Sequence, residues 1–246
     1  MTACQRRTNL QPVRSPGAAG NLQPVPIASS PIATPAPSVT PSVMPSASPS
    51  PLPKDRSQNQ LALDKLAPDQ LVDVQAIAPD IRLDFRYATS NNFLKRAVYP
   101  ARARCLLRLT IAQRLAQVQQ DLRGQGLGLK VFDCYRPLSV QKQMWAILPD
   151  SNYIANPARG SRHNRGAAVD LTLVTVQGKA LEMPTDFDDF SDRAAQDYAG
   201  GTAASRRNRQ ILRQAMEKRG FTTIVTEWWH FDGPGWQQFP ILDHPL

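Results

Sequence analysis

Proline is distributed very unevenly along this chain, and that distribution most constrains what the chain can fold into. Twelve of the 22 prolines precede Leu61, in a stretch that is otherwise rich in serine, alanine and threonine. Such a composition cannot bury enough apolar surface to form a core, and it favours extended, polyproline-like conformers. We therefore predict a disordered tail over residues 1–60 and one folded domain over residues 61–246, a length typical of a single domain.

The charge pattern argues against a nucleic-acid-binding protein. Residues 1–60 hold five basic residues and one acidic residue, so +4 of the net charge of +9 belongs to the predicted tail. The rest of the chain holds 24 basic and 19 acidic residues, which are scattered apart from Arg206, Arg207 and Arg209. A solvated surface is the expected role of such residues, and we predict no nucleic-acid partner.

The N-terminal segment leaves the location of the protein open. The chain has no apolar run of the ~18–20 residues needed to span a bilayer, so we predict no transmembrane span. Cys4, in the segment Met-Thr-Ala-Cys, resembles the lipidated cysteine at the end of a bacterial lipoprotein signal, although no apolar segment precedes it. With a lipid anchor at Cys4 the tail is a tether and the protein lies in the cell envelope or periplasm. Without one, we expect a cytoplasmic protein.

Hydrophobic periodicity predicts a mixture of helices and strands. The predicted helices are at residues 106–123, from Pro137 onward and at 204–219. The predicted strands are at short segments within 71–85 and at 127–132, 167–176 and 221–226. These elements do not follow a regular strand–helix–strand rhythm, so we predict an α+β fold with a mainly antiparallel sheet flanked by helices. Cys105 and Cys134 are either two buried thiols or one pair.

Two of the three histidines lie close to carboxylates at spacings that suit a metal site. Asp170 follows His163 by seven residues, and a turn at residues 164–166 would let His163 approach from a loop while Asp170 projects from the next strand. A catalytic zinc site has three protein ligands and a position for water, and His163, Asp170 and His230 meet that requirement. On spacing alone, the alternative is a salt-bridged Asp170 and a core His163.

Glu227 precedes His230 by three residues, so the two side chains would face opposite sides of a regular strand. Both can reach one site only if the strand bends or ends there. In that arrangement His230 is the third ligand and Glu227 accepts a proton from a metal-bound water. Trp228, Trp229 and Phe231 either enclose the site or form ordinary core, and the two roles are compatible.

These motifs together resemble the zinc peptidases of bacterial cell-wall metabolism. The pattern is Ser-x-His-x-x-Gly-x-Ala-x-Asp at residues 161–170, followed by Glu-x-x-His at 227–230. Within that family of D-Ala-D-Ala carboxypeptidases and dipeptidases, the chain resembles the dipeptidases of vancomycin-resistance type. The segments that support this branch are FRYATSNNF at 85–93, DCYRP at 133–137, AVDLTL at 168–173 and EWWHF at 227–231.

The resemblance implies a monomeric hydrolase with one zinc ion per chain. It implies that His163, Asp170 and His230 hold the zinc, and that a metal-bound water with Glu227 as general base hydrolyses D-Ala-D-Ala or a similar D-configured dipeptide. It also implies that Arg136 stabilises the oxyanion that develops at the scissile carbonyl. The alternative role for Arg136 is a structural salt bridge.

The resemblance further implies three residues that bind the small dipeptide substrate. Ser161 would hold the substrate carboxylate, although a turn hydroxyl is the alternative. Tyr87 and Asp188 would recognise the free amino end, and Asp188 is assigned with neighbouring acids at Asp186 and Asp189.

Two other functions stay open beside the dipeptidase. One is a D,D- or L,D-carboxypeptidase or endopeptidase that acts on longer peptidoglycan peptides. The other is a non-catalytic, metal-holding module that binds the cell wall, for which a base such as Glu227 has no use. The long proline-rich tail departs from the family's usual pattern, and behind a lipidated Cys4 it would place the enzyme in the envelope and favour recycling of peptidoglycan peptides over cytosolic clearance of D-Ala-D-Ala.

Overall fold

The computed structural model of the protein describes residue 63 and residues 65–246. The predicted tail and Cys4 lie outside these described residues. The strands are β1 (Leu71–Asp73), β2 (Arg82–Leu83), β3 (Leu106–Arg108), β4 (Leu127–Asp133), β5 (Ala168–Thr175), β6 (Thr222–Thr223) and β7 (His230–Asp232). The α-helices are α1 (Val74–Ile77), α2 (Leu109–Arg123), α3 (Leu138–Ile147) and α4 (Ala203–Lys218).

The strands form a five-stranded sheet and a separate two-stranded sheet. The larger sheet has the order β2-β4-β5-β7-β6, and its β2–β4 pair is parallel while the other three pairs are antiparallel. β1 and β3 pair with each other in antiparallel fashion. The prediction of an α+β fold with a mainly antiparallel sheet is therefore confirmed.

Helix α2 shows why the predicted helices form. Its buried positions include Ile111, Leu115, Val118 and Leu122, which recur at helical spacing and pack the helix against β4. Fully burying an aliphatic side chain of this size contributes about 1.5–3 kcal/mol, so this stripe is a major stabilising feature. The helix begins three residues later than predicted, because Leu106–Arg108 pair with β1 as strand β3.

The other helices agree closely with the sequence-based expectation. Helix α3 begins directly after Pro137, whose fixed backbone angle suits the start of a helix. Helix α4 is capped by Thr202, whose side chain accepts a hydrogen bond from the backbone amide of Ser205. Gly220 follows α4 with a φ of +85°, a left-handed conformation that glycine adopts without steric cost.

The prediction of a strand over residues 221–226 is wrong for most of that segment. Only Thr222–Thr223 form a strand, and the chain then leaves the sheet before it returns as β7 at His230. Glu227 consequently lies in the irregular segment that precedes β7. This is the interruption that Glu227 and His230 needed in order to reach one site.

Cys105 and Cys134 form a disulfide, with 5.2 Å between their Cα atoms. Both side chains are buried. The bond joins the residue before β3 to the residue after β4. Of the two possibilities that the sequence left open, two buried thiols or one disulfide pair, the structure has the pair. Among the helices of the described residues, none has the length and apolar character required to cross a membrane.

The central strand β5 separates an apolar face from a polar one. Val169, Leu171 and Leu173 point to one face and are fully buried in the core. Asp170 and Thr172 point to the other face, where both are also buried. A buried carboxylate in the middle of a sheet requires a partner, so the polar face of β5 locates the candidate site.

Candidate active site

The sheet brings three polar residues side by side. Asp170 on β5 is paired with His230 on β7 and with Asp133 on β4. His163 reaches the same place from a single 3-10 turn at residues 163–165, as the sequence predicted. Gly166 closes that turn with a φ of +64°, and a Cβ atom there would collide with Leu71.

His163, Asp170 and His230 place one nitrogen or oxygen each at a common point. The distances are 3.2 Å from His163 Nε2 to His230 Nδ1, 2.9 Å from His230 Nδ1 to Asp170 Oδ1, and 3.4 Å from His163 Nε2 to Asp170 Oδ1. Ligand atoms in a tetrahedral zinc site with bonds of about 2.0–2.1 Å lie roughly 3.3–3.4 Å apart. These three atoms could therefore hold a metal ion with small adjustments.

The second ring nitrogen of each histidine is held by a hydrogen-bond acceptor. His163 Nδ1 donates to the backbone carbonyl of Cys134 at 2.7 Å, and His230 Nε2 donates to Asp232 Oδ1 at 3.0 Å. With protons on these outer nitrogens, His163 Nε2 and His230 Nδ1 are the nitrogens that would bind a metal. Histidine ligands in metal sites are typically oriented in this way by a carboxylate or a carbonyl.

The electrostatics of the cluster favour a positive charge between its members. Burial by itself raises the pKa of Asp170, but the adjacent His163 and His230 hold it well below its usual range. Burial lowers the pKa of His230, yet hydrogen bonds to Asp170 and Asp232 raise it to about 10. The surplus of carboxylates thus attracts a cation, and two imidazoles with one carboxylate are a donor set suited to zinc.

Glu227 lies beside this cluster. Its Oε2 atom is 4.0 Å from His230 Nδ1, and its side chain is buried. Burial raises the pKa of Glu227 to about 8. Trp229 is buried and lines the cavity, so both roles expected from the sequence apply to it, whereas Trp228 and Phe231 are buried in the core and do not line the cavity.

Arg136 is fixed in the wall of the same cavity. Its Nε and Nη2 atoms donate to Asp133 Oδ2 at 3.0 and 2.7 Å, and its Nη1 atom donates to Gln141 Oε1 at 2.9 Å. The guanidinium carbon also lies 5.2 Å from the ring centre of Tyr87. The structural salt bridge considered for Arg136 is therefore present, and it holds the guanidinium facing the cavity.

Tyr87 and Asp188 meet in the same cavity, beside Arg136. The Tyr87 hydroxyl donates to Asp188 Oδ1 at 3.0 Å, and the backbone amide of Phe93 donates to Asp188 Oδ2 at 3.4 Å. Burial raises the pKa of Asp188 to about 7. Of the three neighbouring acids, Asp188 is the one that lines this cavity, whereas Asp189 pairs with Arg193.

Ser161 also lines the cavity, and its hydroxyl accepts a hydrogen bond from the backbone amide of His163 at 3.2 Å. The turn-hydroxyl role considered from the sequence is thus present, and it leaves the hydroxyl proton available to another acceptor. The cavity has a volume of about 100 Å³. All eight residues predicted from the sequence, namely Tyr87, Arg136, Ser161, His163, Asp170, Asp188, Glu227 and His230, line it.

Comparison with known proteins places the chain in a family. A family model described as D-Ala-D-Ala dipeptidase, peptidase family M15, matches residues 68–245. The chain belongs to this family. It is 36% identical over 173 residues to the D-alanyl-D-alanine dipeptidase of Escherichia coli (strain K12), covering 70% of this chain and 89% of that protein. It is 32% identical over 172 residues to the D-alanyl-D-alanine dipeptidase of Enterococcus faecalis (strain ATCC 700802 / V583), covering 61% and 85%.

Several residues that shape this M15 site were missed by the sequence analysis. Asp232 could have been found, because it lies two residues after His230 and therefore on the same face of strand β7. Asp133 was harder to find, because the only indication in the sequence is that this acid lies three residues before Arg136. The carbonyl of Cys134 and the amide of Gln141 gave none, since their roles depend on how separate segments meet.

The arrangement has the kinds of groups that can hydrolyse a peptide bond. A buried donor cluster faces a carboxylate that can exchange a proton, and a fixed guanidinium lies in the same wall. A second carboxylate, Asp188, lines the same cavity and can pair with a positive charge. Hydrolysis of dipeptides is accordingly the activity that the family and the site support.

Proposed function

We propose that this protein hydrolyses D-Ala-D-Ala, or a similar D-configured dipeptide, in a zinc-dependent reaction with Glu227 as general base. The observation that carries the proposal is the convergence of His163, Asp170 and His230 on one point with Glu227 adjacent to it. A ligand set alone would serve a structural metal. The added buried carboxylate, 4.0 Å from a ligand nitrogen, is what a hydrolase needs.

The proposed ligands for zinc are His163 Nε2, Asp170 Oδ1 and His230 Nδ1. When bound in such a site, zinc polarises a carbonyl oxygen and lowers the pKa of water toward neutrality. Asp232 and the Cys134 carbonyl keep both imidazole rings oriented, so the donor atoms remain aimed at the same point.

Glu227 moves the proton in this proposal. Its Oε2 atom accepts a proton from the attacking water and later delivers it to the nitrogen of the departing amino acid. Burial raises the pKa of Glu227 to about 8. A cation nearby favours the ionised carboxylate and therefore lowers this pKa toward about 7. A group whose pKa lies near the working pH can both accept and release a proton.

Arg136 stabilises the negative charge that develops on the carbonyl oxygen. Two hydrogen bonds to Asp133 and one to Gln141 fix its position, so it need not reorganise during the reaction. Fixed donors directed at the developing charge are among the largest contributions to catalysis.

Asp188 and Tyr87 are proposed to bind the free ammonium group of the substrate, and Ser161 its carboxylate. A buried carboxylate that is left without a cation is costly, so this end of the cavity selects a substrate with a free amine. That requirement favours a dipeptidase over a carboxypeptidase or endopeptidase that acts on longer wall peptides. The presence of Glu227 likewise favours an enzyme over a wall-binding module.

The test combines metal analysis with two substrates. We expect the purified protein to contain about one zinc per chain, to release amine from D-Ala-D-Ala, and to lose that activity when a chelator removes the metal. N-acetyl-D-Ala-D-Ala serves as the matched substrate without an ammonium group. Undiminished hydrolysis after complete metal removal, or equal rates on the two substrates, would contradict the proposal.

We further propose an envelope location, with Cys4 carrying a lipid. The Cys105–Cys134 disulfide supports this, because such bonds persist in oxidising compartments. Metabolic labelling of the native host with a fatty-acid analogue tests it. We expect the label in the wild-type protein and none in a Cys4→Ala variant, and a wild-type protein that takes up no label would overturn the lipid anchor.

A further inference from the structure

Arg162 occupies a position in the active-site cavity that the proposed function has not used. It lies between Ser161 and His163 at the start of the 3-10 turn, and it lines the cavity together with both. Its side chain is 41% exposed, whereas the side chain of Arg136 is only 7% exposed. The cavity is therefore lined by two arginines, Arg136 enclosed in its wall and Arg162 more exposed.

Two contacts hold the head group of Arg162. Its guanidinium carbon lies 4.7 Å from the ring centre of Trp236, and its Nε atom lies 3.4 Å from Asp232 Oδ2. Nε is buried but makes no hydrogen bond within the described part of the chain. The aromatic ring and the ion pair thus orient the guanidinium, and its terminal nitrogens remain available to a ligand.

The charges of the cavity indicate what that ligand is. Asp188 provides a negative charge for one end of a zwitterionic dipeptide, so the other end requires a positive charge. Arg136 already gives two hydrogen bonds to Asp133, which offsets its charge. Asp232 is shared between His230 and Arg162, so it offsets the charge of Arg162 less completely.

We propose that Arg162 binds the carboxylate of the substrate's C-terminal residue, beside the hydroxyl of Ser161. A guanidinium presents paired N–H donors that match a carboxylate, and such charge-assisted contacts are strong and directional. This inference rests on the proposed function, since it assigns one end of the same dipeptide. It makes Arg162 a determinant of specificity for substrates with a free C-terminal carboxylate.

A different role for Arg162 is to act through Asp232, by fixing the carboxylate that orients His230. The two roles differ in what they do to substrates and to metal binding. A residue that contacts the carboxylate affects only substrates that have one. A residue that positions His230 affects every substrate and lowers the affinity for zinc.

The test compares D-Ala-D-Ala with its C-terminal amide, D-Ala-D-alaninamide, in wild type and Arg162→Gln. We expect Arg162→Gln to lower kcat/KM for the dipeptide by about 10- to 100-fold, mainly through KM, the range expected for a lost hydrogen bond between charged groups. The loss for the amide should be below about threefold, with zinc content unchanged. Arg162→Lys should retain part of the preference for the acid.

Arg165→Gln is the matched control. Arg165 lies 5.8 Å from the ring centre of the same Trp236, but it does not line the cavity. The substitution removes the same charge from the same ring, and we expect it to leave the ratio of acid to amide hydrolysis as in the wild type. Equal losses on both substrates in Arg162→Gln, or a lower zinc content, would overturn the proposal in favour of positioning through Asp232.

Calorimetry on zinc-loaded proteins carrying Glu227→Gln tests binding without turnover. We expect the Kd for D-Ala-D-Ala to rise about 10- to 100-fold when Arg162→Gln is added, and the Kd for the amide to stay constant. An unchanged Kd for D-Ala-D-Ala would overturn the role of Arg162. Failure of the wild type to cleave either substrate, with the difference in Kd intact, would instead reject the proposed function alone.

Discussion

Asp232 and His230 lie two residues apart on strand β7, and Asp232 Oδ1 accepts a hydrogen bond from His230 Nε2 at 3.0 Å. Both side chains are buried on the same face of the strand. When this contact holds a proton on Nε2, Nδ1 is the nitrogen that faces Asp170, at 2.9 Å. The carboxylate thereby decides which nitrogen of His230 is available as a ligand, although it does not face the metal position itself.

Asp232→Asn is expected to weaken zinc binding by about 10- to 100-fold, as is typical for the partner of a metal-bound histidine. The amide is nearly the same size but carries no charge, so His230 becomes a weaker donor. Competition with a chromophoric chelator measures the zinc Kd. Asp243→Asn is the control, because Asp243 pairs with the backbone of Ser139 outside the cavity. An unchanged Kd in Asp232→Asn would show that this contact does not support the site.

Glu227→Gln separates a base from a ligand. Glutamine keeps the size of the side chain and its hydrogen bonding but cannot accept the proton, so we expect near-normal zinc content and activity reduced by at least ~10²-fold. Elemental analysis and amine release from D-Ala-D-Ala give the two readouts. His163→Ala is the contrasting variant and should lose both zinc and activity. Loss of zinc from Glu227→Gln would mean that Glu227 is a ligand.

How much of the site the sequence predicts depends on whether a residue's role is local. His163 and Asp170 fall within one short motif, and the turn before β5 follows from the residues between them. Glu227 and His230 required an interrupted strand, which their spacing demanded but the β-rich composition of residues 221–226 concealed. The chemistry of the pair therefore predicted the local backbone better than the propensity of the segment did.

Some of the groups that the sequence did not predict act through contacts between separate segments. Arg136 and Asp133 are neighbours on the chain, but the hydrogen bond from Arg136 to Gln141 depends on how α3 packs. The carbonyl of Cys134 reaches His163 across 29 residues, and a backbone atom has no signature in a sequence. Hydrophobic periodicity predicted most helices and strands because it is a local pattern. It missed strand β3, since the pairing of Leu106–Arg108 with β1 is a long-range contact.

Removal of the disulfide is expected to destabilise the domain. The Cys105–Cys134 bond closes a loop with a sequence separation of 29, and the chain-entropy model gives about 3–4 kcal/mol for a loop of that length. We expect the Cys105→Ala/Cys134→Ala variant to unfold at lower denaturant concentration, and a reductant to destabilise the wild type similarly. Cys4→Ala is the control and should behave as wild type. Equal stability of the wild type, the double variant and Cys4→Ala would show that the bond does not stabilise the domain.

The ammonium-binding role of Asp188 predicts a pH dependence that its replacement removes. Burial raises the pKa of Asp188 to about 7, with the Tyr87 hydroxyl and the Phe93 amide as its direct partners and the charges of Asp170 and Arg136 facing it. Below this pKa the carboxyl is neutral and cannot pair with the ammonium group. We therefore expect kcat/KM for D-Ala-D-Ala to fall as the pH decreases from about 8 to 6, through a rise in KM.

The matched variant and substrate isolate that effect. Asp188→Asn is neutral at every pH, so its KM for D-Ala-D-Ala should be high and should no longer rise between about pH 8 and 6, whereas kcat keeps the pH dependence of the base Glu227. N-acetyl-D-Ala-D-Ala has no ammonium group, and we expect the wild type to cleave it at least ~30-fold more slowly, consistent with the loss of a charge pair worth about 2–5 kcal/mol. Asp188→Asn should reduce that preference by impairing cleavage of the free dipeptide more than of the blocked one. A KM that still rises between about pH 8 and 6 in Asp188→Asn would assign that titration to another group and remove Asp188 from the amine site.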